Sequence, residues 1–283
     1  MTTILDGKGL AEKILQNIKE KVTTLNRKPK LVVIQIGEDP ASKVYIKHKK
    51  KACLKVDFSF AEISLPFDID QKTVLQKIDQ LNADQNVDGL IVQLPVPKQI
   101  NVPQIMRQID PKKDVDGFCA YNLGKMFLSK EFEDLPPATP LGIITLLQEY
   151  KIPLQGKDVC IVGSSNIVGK PVALMLKNRN ATIQLCDIFT QNLAEKTKKA
   201  DILISAVGKA KLITSEMVKK NAVVIDVGMN RDENGKLCGD VDFENIASKV
   251  SYITPVPGGV GPMTVASLIV NTFNAYKRRL NLT

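Results

Sequence analysis

Apolar Leu10, Ile14, Ile18 and Val22 recur at helical spacing and predict an amphipathic helix over 8–25, after a short strand or turn at the N-terminus. KLVVIQI at 30–36 is a continuous apolar run that suits a buried strand, closed by Gly37-Glu38-Asp39-Pro40. A helix follows over 41–54, started by Asp39 or Ser42, then a strand over 59–65 and a helix over 71–82. VDGLIVQL at 87–94 is the next strand, ended by Pro95 and Pro97. A second series has helices over 143–150, 170–177 and 191–198 and strands over 159–163, 181–186, 201–207 and 223–227. A last helix over 264–280 follows a glycine- and proline-rich loop. Strands alternating with helices predict an α/β protein with mostly parallel sheets, and the proline-rich stretch 135–140 is the expected domain boundary.

Composition narrows this reading. A chain of 283 residues, 44% hydrophobic, builds one large or two modest domains. No apolar run approaches the roughly 20 residues of a membrane span, and the early acid argues against a secretory signal. Five scattered cysteines without a CxxC pair read as reduced thiols of a cytoplasmic protein. One histidine and no Cys/His cluster make a metal site unexpected. The net charge of +9 is spread along the chain and aromatics are 5%, which favours anionic small ligands over nucleic acid.

Residues 159–163 run Val-Cys-Ile-Val-Gly, a strand closed by glycine; Gly163-Ser164-Ser165 reads as a turn, and Gly169-Lys170-Pro171 opens a helix. The next strand ends on Asp187, 24 residues after Gly163. In a dinucleotide fold an acid at that place accepts hydrogen bonds from the ribose hydroxyls and repels a 2′-phosphate. The glycine pattern is short of GxGxxG, so alone it fits many strand–turn–helix units.

Four further clusters carry chemistry. Tyr45 and Lys49 are four apart, hence on one helix face, as an acid/base pair or as part of a solvated basic face. Gln93 ends a buried strand, as a ligand contact or a strand cap. Asp114 and Asp116 before Gly117 fix a turn, bind a metal or hold a nitrogen-rich ligand. Residues 254–264 pack three glycines and three prolines into eleven positions, which favours close approach of a ligand, with Thr264 a candidate helix cap.

In order along the chain, SKVYIKHK, DGLIVQLPVP, PKKDVDGF, PATPLG, VGSSNIVGKP, VIDVGMNR, GDVDF and TPVPGGVGPMT resemble the bifunctional methylenetetrahydrofolate dehydrogenase/methenyltetrahydrofolate cyclohydrolases. The resemblance implies an N-terminal α/β catalytic domain, 1–138 plus 264–283, and a Rossmann-type doubly wound domain, 139–263, with the last helix returning to the first domain. It implies a polyglutamylated folate bound in a cleft, no nucleic-acid or membrane partner, and a cytoplasmic homodimer. Lys49 is then the general acid/base, assisted by Tyr45 and oriented by Gln93, and Asp116 binds the pterin. Ser42, Val92, Leu94, Pro257, Gly258 and Gly259 complete the folate contacts. Gly163, Ser164, Ser165, Val168, Gly169, Asp187, Ile188 and Met229 are the cofactor contacts, for NADP or NAD.

Two departures bear on that choice. Many relatives carry an arginine where Ser164 stands and a polar pair where Asp187-Ile188 stands. One change removes a phosphate donor and the other adds a negative charge, so NAD is favoured over NADP. Ala138, where cysteine is common, is expected to be neutral. The competing readings are a member with one activity only, a nucleic-acid-binding protein and a Rossmann dehydrogenase for a small acid. Intact Tyr45, Lys49, Gln93 and Asp116 argue against the first two, and the PGGVGPMT loop against the third.

Overall fold

The computed structural model describes residues 1–282, and of Ala41 the backbone alone. In chain order the elements are β1 (Thr3–Ile4), α1 (Gly7–Thr23), β2 (Lys30–Ile36), α2 (Pro40–Lys55), β3 (Ser59–Leu65), α3 (Gln71–Ala83) and β4 (Gly89–Val92). Then come α4 (Val102–Gln108), α5 (Ala120–Met126), α6 (Ala138–Glu149), β5 (Asp158–Val162), α7 (Gly169–Lys177) and β6 (Thr182–Cys186). The remainder are α8 (Leu193–Thr197), β7 (Ile202–Ser205), β8 (Val223–Asp226), β9 (Asn230–Arg231), β10 (Leu237–Cys238), α9 (Phe243–Ile246), β11 (Tyr252–Ile253) and α10 (Val260–Arg279).

These elements form two compact units, one of Glu12–Ala138 with the chain from Val265 on, the other of Met1–Ala11 with Thr139–Thr264. The first eleven residues therefore lie outside the N-terminal unit to which the sequence reading gave them. The reason is β1, a two-residue strand that pairs in parallel with β11, with Leu5 N donating to Ile253 O at 2.8 Å. Neither short strand has a hydrophobic period to announce it.

In the unit of Glu12–Ala138, β3, β2 and β4 form a parallel sheet in that order. The central strand β2 buries six of its seven residues, as its unbroken apolar run requires. Helix α3 starts at Asp70, whose side chain accepts from Thr73 N, and buries Val74, Ile78 and Leu81 on one stripe. The last helix joins this unit through polar contacts as well as apolar ones. Asn271 Nδ2 donates to Val115 O at 2.9 Å and Pro136 O at 2.8 Å, and Arg279 and Arg27 both pair with the buried Asp88.

In the other unit, six parallel strands run in the order β1-β11-β8-β7-β5-β6. The direction of winding reverses at β5: β6 lies on one side of it, and β7, β8 and β11 on the other. Ligands of open α/β sheets bind at the carboxyl ends of the strands beside such a reversal. Helix α6 begins at Ala138, earlier than 143, because Pro140 suits a first turn and does not interrupt it. Helix α10 likewise begins at Val260, so Thr264 is not its cap. The Thr264 hydroxyl bonds back to Val260 O at 3.3 Å, inside the helix.

Candidate active site

Asp39 starts α2: its carboxylate accepts from Ser42 N at 2.7 Å, and Pro40 occupies the first turn. That start sets the phase of the helix. Ser42 is buried, with its hydroxyl donating to Leu94 O at 3.4 Å, while Tyr45 is exposed and Lys49 half-buried one turn on. Lys49 Nζ donates to Gln93 Oε1 at 3.0 Å. Gln93 Nε2 in turn donates to Leu94 O at 2.7 Å, an acceptor that only the amide NH2 can satisfy. The orientation of the Gln93 amide is thereby fixed with its oxygen towards the lysine. Val92, at the end of β4, is buried behind them.

The two acids of PKKDVDGF divide their roles. Asp114 is buried and accepts from Gly117 N, Phe118 N, Cys119 N and Asn122 Nδ2 at 3.1, 3.3, 2.9 and 3.0 Å. It is the turn-former. Gly117 has a φ of 74°, and a Cβ there would press on the main chain of Leu135, Pro136 and Pro137. The turn directs Asp116 differently. Desolvation raises the Asp116 carboxyl above the usual carboxylate range; the Lys49 charge opposes the rise and Asp114 adds to it. Lys113, fully buried, donates to Leu81 O, Asn82 O and Asp84 O at 2.9, 2.7 and 2.7 Å, closing the end of α3 and anchoring this turn.

In the other unit, Gly163 has a φ of 110° at the end of β5, and a Cβ on it would strike the Ala206 carbonyl at the end of β7. A Cβ on Gly169 would strike the Gly163 carbonyl, so the start of α7 sits directly on the strand end. Ser164 and Ser165 lie between, with Ser165 Oγ accepting from Val168 N at 3.2 Å. Val168 precedes α7 without a side-chain cap; Lys170 N donates to Ser165 O at 3.0 Å and Pro171 has no N–H, so Gly169 supplies the first-turn N–H for an anion. This cradle, closed to any side chain at both glycines, fits a dinucleotide pyrophosphate. Asp187 lies exposed at the end of β6, beside β5. Its Oδ1 accepts from Phe189 N at 3.0 Å, so a turn role accompanies any ligand role. Ile188 and Met229 are exposed apolar side chains of the same unit.

Pro257, Gly258 and Gly259 also belong to this unit. Their glycines have a packing reason: Gly258 O accepts from Lys8 N at 2.8 Å, and Gly7 leaves no room for a Cβ against Gly259 O. The sequence reading assigned no role to Asp226 and Asp240, which prove to be buried. Asp226 accepts from Gly228 N, Asp240 N and Val241 N at 2.9, 3.0 and 2.9 Å, and burial pushes its carboxyl up to about 6. The available signal was an aspartate inside GDVDF, flanked by glycine and valine in an apolar setting. Among the described residues no group of three or more His, Cys, Asp or Glu side chains is placed to hold a metal ion, and no helix is long and apolar enough to cross a membrane.

Two family profiles match this chain: tetrahydrofolate dehydrogenase/cyclohydrolase, catalytic domain, over residues 5–116, and the NAD(P)-binding domain of the same family over residues 137–280. The bifunctional protein FolD of Hydrogenobaculum sp. (strain Y04AAS1) is 53% identical over 277 residues, 98% of this chain and 99% of that protein. The crystal structure of the bifunctional enzyme FolD, methylenetetrahydrofolate dehydrogenase/cyclohydrolase, from Campylobacter jejuni is similar with a TM-score of 0.94 at 46% identity, over 98% of this chain and 100% of that one. The Trypanosoma brucei methylenetetrahydrofolate dehydrogenase-cyclohydrolase, solved with NADP and an inhibitor, has a TM-score of 0.94 at 32% identity, over 99% and 98%. With both units matched and half the positions shared with a full-length relative, the chain belongs to the tetrahydrofolate dehydrogenase/cyclohydrolase family.

Proposed function

We infer that this protein oxidises 5,10-methylenetetrahydrofolate to 5,10-methenyltetrahydrofolate with NAD(P)+ and hydrolyses the product to 10-formyltetrahydrofolate. The observation that carries the reading is the Lys49–Gln93 hydrogen bond of 3.0 Å, in a chain that also holds an uncapped, glycine-built cradle at β5. The unit of Glu12–Ala138 is the folate-binding part and the unit of Thr139–Thr264 the dinucleotide-binding part.

Bound NAD(P)+ supplies the hydride acceptor. The protein's part in that step is to hold two ligands: Gly163, Ser164, Ser165, Val168 and Gly169 take the pyrophosphate, and Ile188 and Met229 pack on the cofactor. Asp116 pairs with the N–H donors of the pterin, which compensate the desolvation of its carboxyl. Ser42, Val92 and Leu94 complete the folate contacts of the unit of Glu12–Ala138.

Hydrolysis adds water to the methenyl carbon, releasing one proton and leaving a carbinolamine. The hydroxyl proton then passes to N5 as the carbon–N5 bond breaks, and the formyl group stays on N10. Lys49 is the group that takes and returns protons, with Tyr45 beside it. Gln93 holds the Lys49 amine in one place through its oxygen.

Ser164 and Asp187 favour NAD over NADP: no arginine follows Gly163, and a carboxylate closes the strand beside it. The net charge of +9 suits a polyglutamylated folate, and the protein acts as a cytoplasmic homodimer. Initial rates of methylenetetrahydrofolate oxidation with NAD+ and NADP+, alongside hydrolysis of methenyltetrahydrofolate alone, test the whole reading. Both reactions should proceed, the first faster with NAD+. Absence of either reaction would reject the bifunctional assignment.

A further inference from the structure

One carboxylate in the unit of Thr139–Thr264 is engaged far beyond what a turn needs. Asp240 is fully buried and accepts five hydrogen bonds. Three come from consecutive main-chain N–H groups after β7: Val207 at 2.7 Å to Oδ2, and Gly208 and Lys209 at 3.0 Å each to Oδ1. Ser205 Oγ donates to Oδ2 and Asn230 Nδ2 to Oδ1, both at 3.0 Å. Successive N–H groups curled round one anion form a nest, and here the anion is the protein's own. The segment it holds begins at Ala206, whose carbonyl lies against Gly163. Asn230, on the other side, adjoins Met229.

Asp240 is itself fixed. Asp226 accepts from Asp240 N at 3.0 Å and Val241 N at 2.9 Å, and a Cβ on Gly239 would collide with the Asp226 carboxylate. A Cβ on Gly228 would collide with the Asp240 carboxylate, so the chain before Met229 is pressed onto the same group. Val241, next to Asp240, and Val224, two residues before Asp226, belong to the buried apolar cluster of this unit.

We propose that Asp240 is a positioning residue for the dinucleotide: its carboxylate sets the 206–209 segment against Gly163 and the 228–230 segment beside it, and so fixes two walls of the cofactor cradle. The proposal rests on the reading that this unit binds NAD(P). It also assigns the amides of Val207, Gly208 and Lys209 to Asp240 and away from the cofactor phosphates.

The test uses full-length protein and titrates NADH and NADPH by their fluorescence, in wild type, Asp240→Asn and Ser205→Ala. Asn keeps the shape of Asp but turns an NH2 towards main-chain donors, so the segment must shift. The dissociation constant should rise about 10-fold or more in Asp240→Asn and by a smaller factor in Ser205→Ala. In the dehydrogenase assay the KM for dinucleotide should rise while the KM for folate stays. Methenyl hydrolysis, which consumes no dinucleotide, should keep its kcat and KM. A folded Asp240→Asn protein with wild-type affinity overturns the proposal. If that variant does not fold, unchanged affinity in Ser205→Ala overturns it instead. Wild-type protein that binds neither dinucleotide would sink the dehydrogenase reading itself, an outcome distinct from wild-type binding with unaffected variants.

Discussion

Lys49 Nζ and Gln93 Oε1 meet at 3.0 Å across 44 residues of chain, joining the middle of α2 to the residue after β4. Neither residue is held by its own element alone. Asp39 sets the rotation of α2, and Leu94 O sets the Gln93 amide. A hydrogen bond thus holds the amine of a flexible four-carbon stem at the end of β4, which suits the proton transfer proposed for it.

Removing the amine should abolish hydrolysis before it affects cofactor binding. Lys49→Met is expected to lower the rate of methenyl hydrolysis by about 10²–10⁴-fold. Gln93→Leu, which leaves the amine but frees it, should cost roughly 10- to 100-fold. Titration of NADH should give wild-type affinity in both. Full hydrolytic activity in Lys49→Met would remove this lysine from the mechanism.

The proposed role of Asp187 is to accept from the ribose hydroxyl pair and to repel a 2′-phosphate. Asp187→Ser removes the charge and leaves a hydroxyl. The ratio of kcat/KM for NAD+ to that for NADP+ should fall by about 10-fold or more, as expected from losing a charge-assisted hydrogen bond and a repulsion together. The ratio is the readout because the turn at Phe189 also depends on this residue, and loss of the turn would lower both values alike.

Asp114 is predicted to matter for stability, and through it for Asp116. Asp114→Ala leaves Phe118 N and Cys119 N without their acceptor in a buried turn, while Gly117 N keeps the main-chain Asp114 O and the Asn122 amide keeps Pro111 O. The expected loss is roughly 3 kcal/mol or more, read from the midpoint of urea unfolding. A loss under about 0.5 kcal/mol would mean that water replaces the carboxylate, and the turn-forming role would be withdrawn.

The buried Asp226 makes stability depend on pH in a definite direction. Its carboxyl is raised from 3.8 to about 6, chiefly by burial, so the folded protein holds the proton more tightly than the unfolded chain. The stabilisation is therefore present below the unfolded pKa and is lost as pH rises through about 6. Compared with Asp226→Asn, the wild type should lose on the order of 2 kcal/mol between pH 4.5 and 7.5. Urea unfolding of both proteins at the two pH values checks this. A difference that does not change with pH would contradict it.

Much of the fold was legible because local physics dictated it. The strand at Lys30–Ile36 is apolar at nearly every position, and a helix over 41–54 started by Asp39 or Ser42 is legible, the structure choosing Asp39. Periodicity also placed α3, α7 and β5 to within a residue or so. It left β1 open as a strand or turn and did not show β11, two residues each, since such strands exist only through the partner they pair with. It also missed α4 and α5, seven residues each, whose buried sets are too small to show a period.

The site was legible in kind and incomplete in detail. Motifs brought Tyr45, Lys49, Gln93, Asp116 and the Gly163–Gly169 turn forward as chemistry. What the sequence by itself determined was the alternation of elements, the capped start of α2 and the residue types at the strand ends. Only the tertiary structure decided that Asp114 spends its oxygens on a turn while Asp116 does not share that role. Only it could show Asp240 gathering five donors from two separate stretches of chain, 205–209 and Asn230. Periodicity and caps act over a few neighbouring residues, whereas a buried carboxylate takes its partners from wherever the fold brings N–H groups together.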